Sequence, residues 1–358
     1  TVGTSLGSEL LAQECGPKCL PFLRQRFRDK QLGMMVGAGI SVDAGVPTWS
    51  GLVSRVRGIS KEPKRHLKSF HNASDATFLT EVAWRRFRKE KIEIHRKTHS
   101  DERFLEAVVE GEWLRSVKDV LFSTVTDDKI KSHPYLKQLS KLVNGCAFNI
   151  SFNFDNILDI SVAEYAASLN EQLPTTTAVI APIDRQHGAT IFHINGLMPR
   201  EKNRKATELV FSEEAFAKIL TTEDIRKKEY LLSQLAEKTF VLIGLSLNDK
   251  SLTNMLRASK ERNPGCHHFY IYYLNRRKEL TSREMKEIYD SNIHVYNLIT
   301  LFLCNEDIAE FLDVIYQAPG GTTDIALAKA GSKPRYVYYI VGCPAAGKTT
   351  LLENLRCF

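Results

Sequence analysis

Where an apolar run gives way to small or polar residues, a chain can bring backbone donors and side-chain oxygens onto a ligand. The first such stretch is Gly37-Ala38-Gly39-Ile40-Ser41, directly after the apolar Leu32 to Val36. Its two glycines would let the backbone take φ > 0 and come close to a bulky anion. Ser41 adds a hydroxyl, as a donor or as the cap of a following helix. The combination reads as a phosphate-cradling turn. It is not the dinucleotide fingerprint of hydride-transfer enzymes, because the third glycine of GxGxxG would fall at Val42.

Three more stretches follow apolar runs in the same way. Ser151-Phe152-Asn153-Phe154-Asp155-Asn156-Ile157-Leu158-Asp159 succeeds Cys146 to Ile150, and His193-Ile194-Asn195-Gly196 closes Thr190 to Ile194. Gly244-Leu245-Ser246-Leu247-Asn248-Asp249 succeeds Thr239 to Ile243. Each alone could be a turn. Together, on the carboxyl ends of strands in one sheet, they would share the crevice where a nucleotide lies.

The elements that must position these loops are legible as alternation. Pro21 to Lys30 reads as a short amphipathic helix feeding the strand Leu32 to Val36, and residues from about 48 to 142 read as mostly helical. Within that helical insertion, about 52–142, the expected buried positions include Phe78, Val82, Phe87, Leu105, Val108, Leu121 and Leu136. Further strands are expected at Ala178 to Ala181, Glu208 to Phe211, His268 to Tyr273 and Ile293 to Tyr296, with helices opening near Ser212 and ending near Glu261. Strands alternating with helices predict an α/β fold, a doubly wound and mainly parallel sheet covered on both faces.

Composition bounds the rest. A chain of 358 residues implies two or three domains, or one large domain with an appendage. Its 43% hydrophobic and 25% charged content is that of a globular protein. No run approaches the length of a membrane span and no basic-apolar-small leader is visible, so a cytoplasmic protein is expected. The seven cysteines are scattered, which suits a reducing cytosol, and only Cys15 and Cys19 lie close together, so no structural zinc is expected. The net charge of +7 comes from dispersed clusters with acids nearby. These read as solvated faces, and direct nucleic-acid binding is not expected.

One motif stands apart near the end of the sequence. After a Pro/Gly-rich linker at about 316–334, Arg335 to Val341 reads as a strand leading into Gly342-Cys343-Pro344-Ala345-Ala346-Gly347-Lys348-Thr349-Thr350 and the apolar Leu351-Leu352. This is GxxxxGK[ST] between a strand and a helix. Backbone N–H groups from Gly342 to Gly347 would surround ATP phosphates, Lys348 would reach the β/γ-phosphates and Thr349 would hold Mg²⁺. Residues 335–358 would open a P-loop NTPase domain whose Walker-B carboxylate lies further on.

Taken in order, the GAGIS-VDAGVPTW, SFNFDNILD, FHINGLMPR with LVFSEEAF, and GLSLND segments resemble the sirtuin-like NAD-binding domain, in the branch found as effectors of bacterial antiphage defence proteins. The resemblance spans about residues 30 to 315, giving an expected effector domain over 1–315. It implies a Rossmann-like sirtuin fold and NAD⁺ hydrolysis to nicotinamide and ADP-ribose; without the zinc module, an NAD-dependent protein deacylase is the lesser alternative. By the resemblance, Gly37, Ala38, Gly39 and Ser41 correspond to the loop on the dinucleotide phosphates. Asn153 and Asp155 correspond to the motif beside the nicotinamide ribose, and Gly244 and Ser246 to a loop closing over the adenosine. Physically, the Asn153 amide can hold a ribose hydroxyl or an attacking water, and Asp155 can bond the helix start or support the site. Fusion to a P-loop domain resembles STAND-class antiviral sensors, which implies self-association through the NTPase part and a phage-derived trigger recognised further along the protein.

There is one departure from the family's pattern. Its catalytic histidine stands directly before the glycine, where this chain has Asn195. Asn cannot take a proton near neutral pH, and losing a general base costs about 10²–10⁴-fold in rate. His193, two residues back on the same strand face, could partly substitute, or could be a satisfied core histidine. An NAD- or ADP-ribose-binding pseudoenzyme is therefore a standing alternative.

Overall fold

Five consecutive buried residues, Leu32–Val36, form the central strand β1, and the sheet grows from it in both directions. The structure, a computed structural model, describes residues 16–59, 76–146, 148–177, 189–201, 203–207, 209, 224–276 and 279–317. Before β1 lies helix α1 (Gly16–Arg28), which begins earlier than the expected helix and stops short of Lys30, a residue with positive φ. A short 3₁₀ turn, Ala38–Ile40, follows β1.

The chain then leaves the sheet for the helices α2 (Trp49–Ile59), α3 (Ala76–His95), α4 (Glu102–Phe122), α5 (Asp127–Lys131) and α6 (Leu136–Gly145). Helix α4 shows why this insertion packs. Leu105, Val109, Trp113, Val117 and Leu121 recur every four residues, so they fall on one face, and all are buried. Trp113 meets Trp84 and Phe87 of α3 at ring separations of 5.5 and 5.2 Å. Phe87, Leu105, Leu121 and Leu136 are buried as expected, whereas Phe78, Val82 and Val108 are only half-buried. The true inward positions are their neighbours Leu79, Ala83 and Val109, one residue around the helix. Basic residues of α3 are spent within the helical pair: Arg85 on Glu81 at 2.6 Å, Lys91 on Glu112 at 2.8 Å, and Arg88 on Glu106.

The remaining elements alternate. They are β2 (Phe148–Ser151), α7 (Ile157–Ser168), β3 (Thr175–Thr177), β4 (Thr190–His193), α8 (Asp224–Glu237), β5 (Thr239–Ile243), α9 (Lys250–Arg262), β6 (His268–Leu274), α10 (Ser282–Tyr296), β7 (Leu298–Cys304) and α11 (Asn305–Tyr316). The seven-stranded sheet has the order β3-β4-β2-β1-β5-β6-β7, and every neighbouring pair is parallel. This is the expected doubly wound α/β architecture. Its order reverses at β1, and in a doubly wound sheet such a switch point is where a ligand crevice lies, outside the carboxyl ends of the strands.

One expected strand is wrong. Ile293 to Tyr296 is the end of helix α10, and the strand is Leu298–Cys304. Thr281 and Glu284 form a reciprocal capping box that starts α10, and Asn297 ends it in the left-handed conformation at φ 56°. The seven-residue apolar run after that stop becomes β7. The expected strands at Ala178 to Ala181 and Glu208 to Phe211, the helix at Ser212, the linker from 318 on and the whole P-loop segment, Gly342, Gly347, Lys348 and Thr349 included, lie outside the described residues. Among the described residues no helix is long and apolar enough to cross a membrane.

Candidate functional site

Strands β4, β2, β1 and β5 are adjacent, and their last residues stand level: Val36 pairs with Ser151 and Ile243, and Ser151 with His193. The loops that begin at Gly37, Asn153, Asn195 and Gly244 are therefore brought to one edge.

The first two glycines do not take the positive φ that the sequence implied. Gly37 is extended, at φ −129°, and neither it nor Gly39 has positive φ. Their missing side chains are needed by the neighbouring loop. A Cβ on Gly37 would sit 2.5 Å from the Gly244 carbonyl oxygen, and one on Gly39 2.8 Å from the Gly244 Cα. Gly244 itself has φ +67°, and its Cβ would meet the Ile40 nitrogen at 2.7 Å. Two donors are spent on this seam, Gly37 N–H to Ile243 O at 3.0 Å and Gly39 N–H to Gly244 O at 2.9 Å. The two loops are thus locked backbone to backbone, with half-buried Ala38 between the glycines. Beyond the seam, exposed Ser246 accepts the Asn248 N–H at 3.2 Å, and Asp249 caps α9.

Ser41 likewise caps no following helix. It closes the 3₁₀ turn and is fully buried, its hydroxyl donating to Asp155 Oδ1 at 2.9 Å and accepting from Asn153 Nδ2 at 3.2 Å. Asp155 Oδ1 also accepts the Ile157 N–H at 3.1 Å, which secures the start of α7 as the sequence suggested. Burial is the largest influence on the Asp155 carboxyl and pushes it above the usual carboxylate range, against the Ile157 and Ser41 donors. Asn153, 5% exposed, keeps its Oδ1 without a hydrogen-bond partner among the described residues. A buried amide oxygen so placed costs about 1–3 kcal/mol unless a donor arrives. At the head of a sheet crevice, a ligand hydroxyl or a water fits that need.

Three consecutive carbonyls of this loop are gripped from β4 and the turn after it. Asn195 Nδ2 donates to Phe152 O at 3.0 Å, His193 Nδ1 lies 2.9 Å from Asn153 O, and the Met198 N–H donates to Phe154 O at 2.7 Å. Asn195 is half-buried, while His193 is fully buried. The Nε2 of His193 faces both oxygens of Asp159 at 3.1 Å, and Thr176 Oγ1 donates to Asp159 Oδ1 at 2.8 Å. With both ring nitrogens engaged, His193 offers no lone pair to a substrate. The partial substitution for a base expected of it gives way to a holding role.

The turn after β4 is also tied to the helical insertion. Asn156 accepts the Arg200 N–H at 2.8 Å and donates to Glu201 Oε2 at 2.9 Å. Lys118 Nζ of α4 donates to Glu201 O at 2.6 Å, and Arg200 pairs with Asp127 at 2.5 Å. Sequence reasoning missed Asp159, Thr176 and Asn156 as members of this arrangement. A signal existed for Asp159, which lies four residues after Asp155 and therefore near it on the first turns of a helix. Thr176 carried none, because it arrives from the edge strand.

Among the described residues no group of three or more His, Cys, Asp or Glu side chains is placed to hold a metal ion. Residues 148–296 match the family described as the SIR2-like domain, which is less than half of the chain but takes in the loops after β2, β4 and β5. The match supports a sirtuin-like domain and, with it, NAD-related chemistry. No curated protein matches the chain.

Proposed function

We propose that the crevice is an NAD⁺ glycohydrolase site, splitting NAD⁺ with water into nicotinamide and ADP-ribose, and that Asn195 leaves it able to bind NAD⁺ while slowing its cleavage. The observation that carries this reading is the buried Asn153 carboxamide in the loop after β2, within the SIR2-like match, held by Ser41 through Nδ2 with Oδ1 unpartnered among the described residues. In the reaction the bond between ribose C1′ and the nicotinamide nitrogen breaks, and its electron pair neutralises the cationic ring. No general acid is needed, which distinguishes this from ordinary glycoside hydrolysis. The water oxygen bonds to C1′ and its proton passes to a base or to solvent. A site for this chemistry must hold the sugar, exclude stray nucleophiles and direct one water.

The test uses the full 358-residue chain as it stands. Isothermal titration with NAD⁺ is expected to show saturable binding, with Kd below about 1 mM, or −4.1 kcal/mol on the standard scale. A folded protein that gives no heat at millimolar NAD⁺ would sink the proposal.

The reading extends to control. An NAD-consuming activity must stay silent in a healthy cell, and the sequence motif around Lys348 supports ATP- and Mg²⁺-dependent self-association as the switch, set off by a phage-derived trigger. In the Asn195→His background trigger should then raise NAD⁺ loss well above the untriggered rate, and Lys348→Ala should abolish that increase. Triggered activity surviving Lys348→Ala would contradict assembly gating.

A further inference from the structure

One fully buried polar group behind the Asn153 loop is not part of the hydrolytic chemistry, yet it touches the residue that carries it. His193 is fully buried on β4 and bonded at both ends: Nδ1 to the main-chain carbonyl of Asn153, Nε2 to the Asp159 carboxylate. A carbonyl and a carboxylate only accept, so two donors are required, and only the imidazolium form of the ring has two. Asp159 is in turn fixed by the Thr176 hydroxyl, so the pair joins β4, α7 and β3 to the loop after β2. The peptide groups of Asn153 are held on both sides, its N–H by Ser151 Oγ at 3.2 Å and its carbonyl by His193.

We propose that His193, carried as a cation by Asp159, is a positioning residue that sets the Asn153 main chain and thereby aims its carboxamide at the sugar of the bound dinucleotide. This rests on the reading of the crevice as an NAD⁺ site. Among the described residues the charged groups facing the ring are Asp159 from α7 and Asp155 from the loop after β2; the Thr176 hydroxyl of β3 reaches the ring through Asp159. Burial opposes the imidazolium, but the Asp159 charge and hydrogen bond, the Asn153 carbonyl and Asp155 outweigh it and raise His193 above the ordinary histidine value. The aim of Asn153 should accordingly persist through neutral pH and loosen in alkali, when the ring loses its second proton.

The experiment is ¹⁵N NMR of the full chain with labelled histidine and asparagine. His193 should be doubly protonated at pH 7, and its titration should move the Asn153 side-chain amide resonances with it. Asp159→Asn should shift that joint titration down by at least one pH unit and weaken NAD⁺ binding most between the two titrations, where the parent ring is still charged and the variant's is not, whereas simple loss of stability would weaken it evenly. A singly protonated ring at pH 7 in the parent chain overturns the proposal without any variant, and so does an Asn153 amide indifferent to the titration. Thr176→Val keeps the ion pair and serves if Asp159→Asn does not fold; roughly threefold weaker NAD⁺ binding is expected, the loss of about half a net hydrogen bond, and unchanged binding contradicts the role. A parent chain with the imidazolium in place and no affinity for NAD⁺ would overturn the NAD⁺ reading and, with it, the substrate half of this proposal, while the buried ion pair stands.

Discussion

Asn195→His is expected to raise nicotinamide release from NAD⁺ by about 10²–10⁴-fold, the usual worth of a positioned general base. The reason is geometric. Asn195 Nδ2 already donates to the Phe152 carbonyl at 3.0 Å. A histidine at 195 carries its Nδ1 at the corresponding branch of the side chain, so the same carbonyl would take the Nδ1 proton. That hydrogen bond selects the tautomer whose Nε2 is unprotonated, the form able to accept a proton. His193 cannot do this, since the Asn153 carbonyl and Asp159 occupy both its nitrogens. Chromatographic detection of nicotinamide and ADP-ribose, with no acyl-lysine peptide present, checks the effect and separates hydrolysis from deacylation. A rate within threefold of the parent would mean that position 195 does not limit the reaction.

Asn153→Ala in that Asn195→His background is expected to remove most of the gain, a loss of about 10²–10³-fold in turnover, as for deletion of one preorganised polar contact in an active site. The stability cost should be small. Ser41 keeps its donor bond to Asp155, and an amide oxygen with no partner among the described residues is deleted along with the Nδ2 donor. Net hydrogen bonds are worth about 1 kcal/mol, so the midpoint of thermal unfolding should fall by only a few degrees. Unchanged turnover would take Asn153 out of the mechanism. Turnover lost together with the fold would be separated by Asn153→Asp, which keeps the size and one acceptor oxygen.

Much of the architecture was legible because central parallel strands advertise themselves. Leu32–Val36 and Thr239–Ile243 are apolar on both faces and read to the residue. Asp249 closes the loop after β5 and caps the helix expected to follow it. Errors came where local pattern lacked phase or direction. Ile293 to Tyr296 has strand-like composition, but a helix already begun at a capping box runs through it until Asn297. Val108 and Val109 are adjacent valines, and it is Val109 that keeps step with Leu105, Trp113, Val117 and Leu121 on the buried face.

The site divided in the same way. Its four loops could be found because each follows a strand, and the topology brings them together. The roles within them could not. Gly37 and Gly39 look like glycines that take positive φ in one dimension, while in three dimensions what their bare Cα atoms do is make room for Gly244, a partner some two hundred residues away. Ser41 looks like a cap and is instead the link between the first loop and the Asn153–Asp155 loop. Long-range hydrogen bonds of this kind leave no spacing in the sequence to read.

The central claim is that Asn153 and position 195 work together on the glycosidic bond of NAD⁺. It is tested most directly by measuring nicotinamide release from NAD⁺ by four chains side by side: the parent, Asn195→His, Asn153→Ala and the double variant. The account predicts appreciable turnover from Asn195→His alone, with the other three near background and all four folded. Equal rates from the four chains, or a double variant as active as Asn195→His, would contradict it.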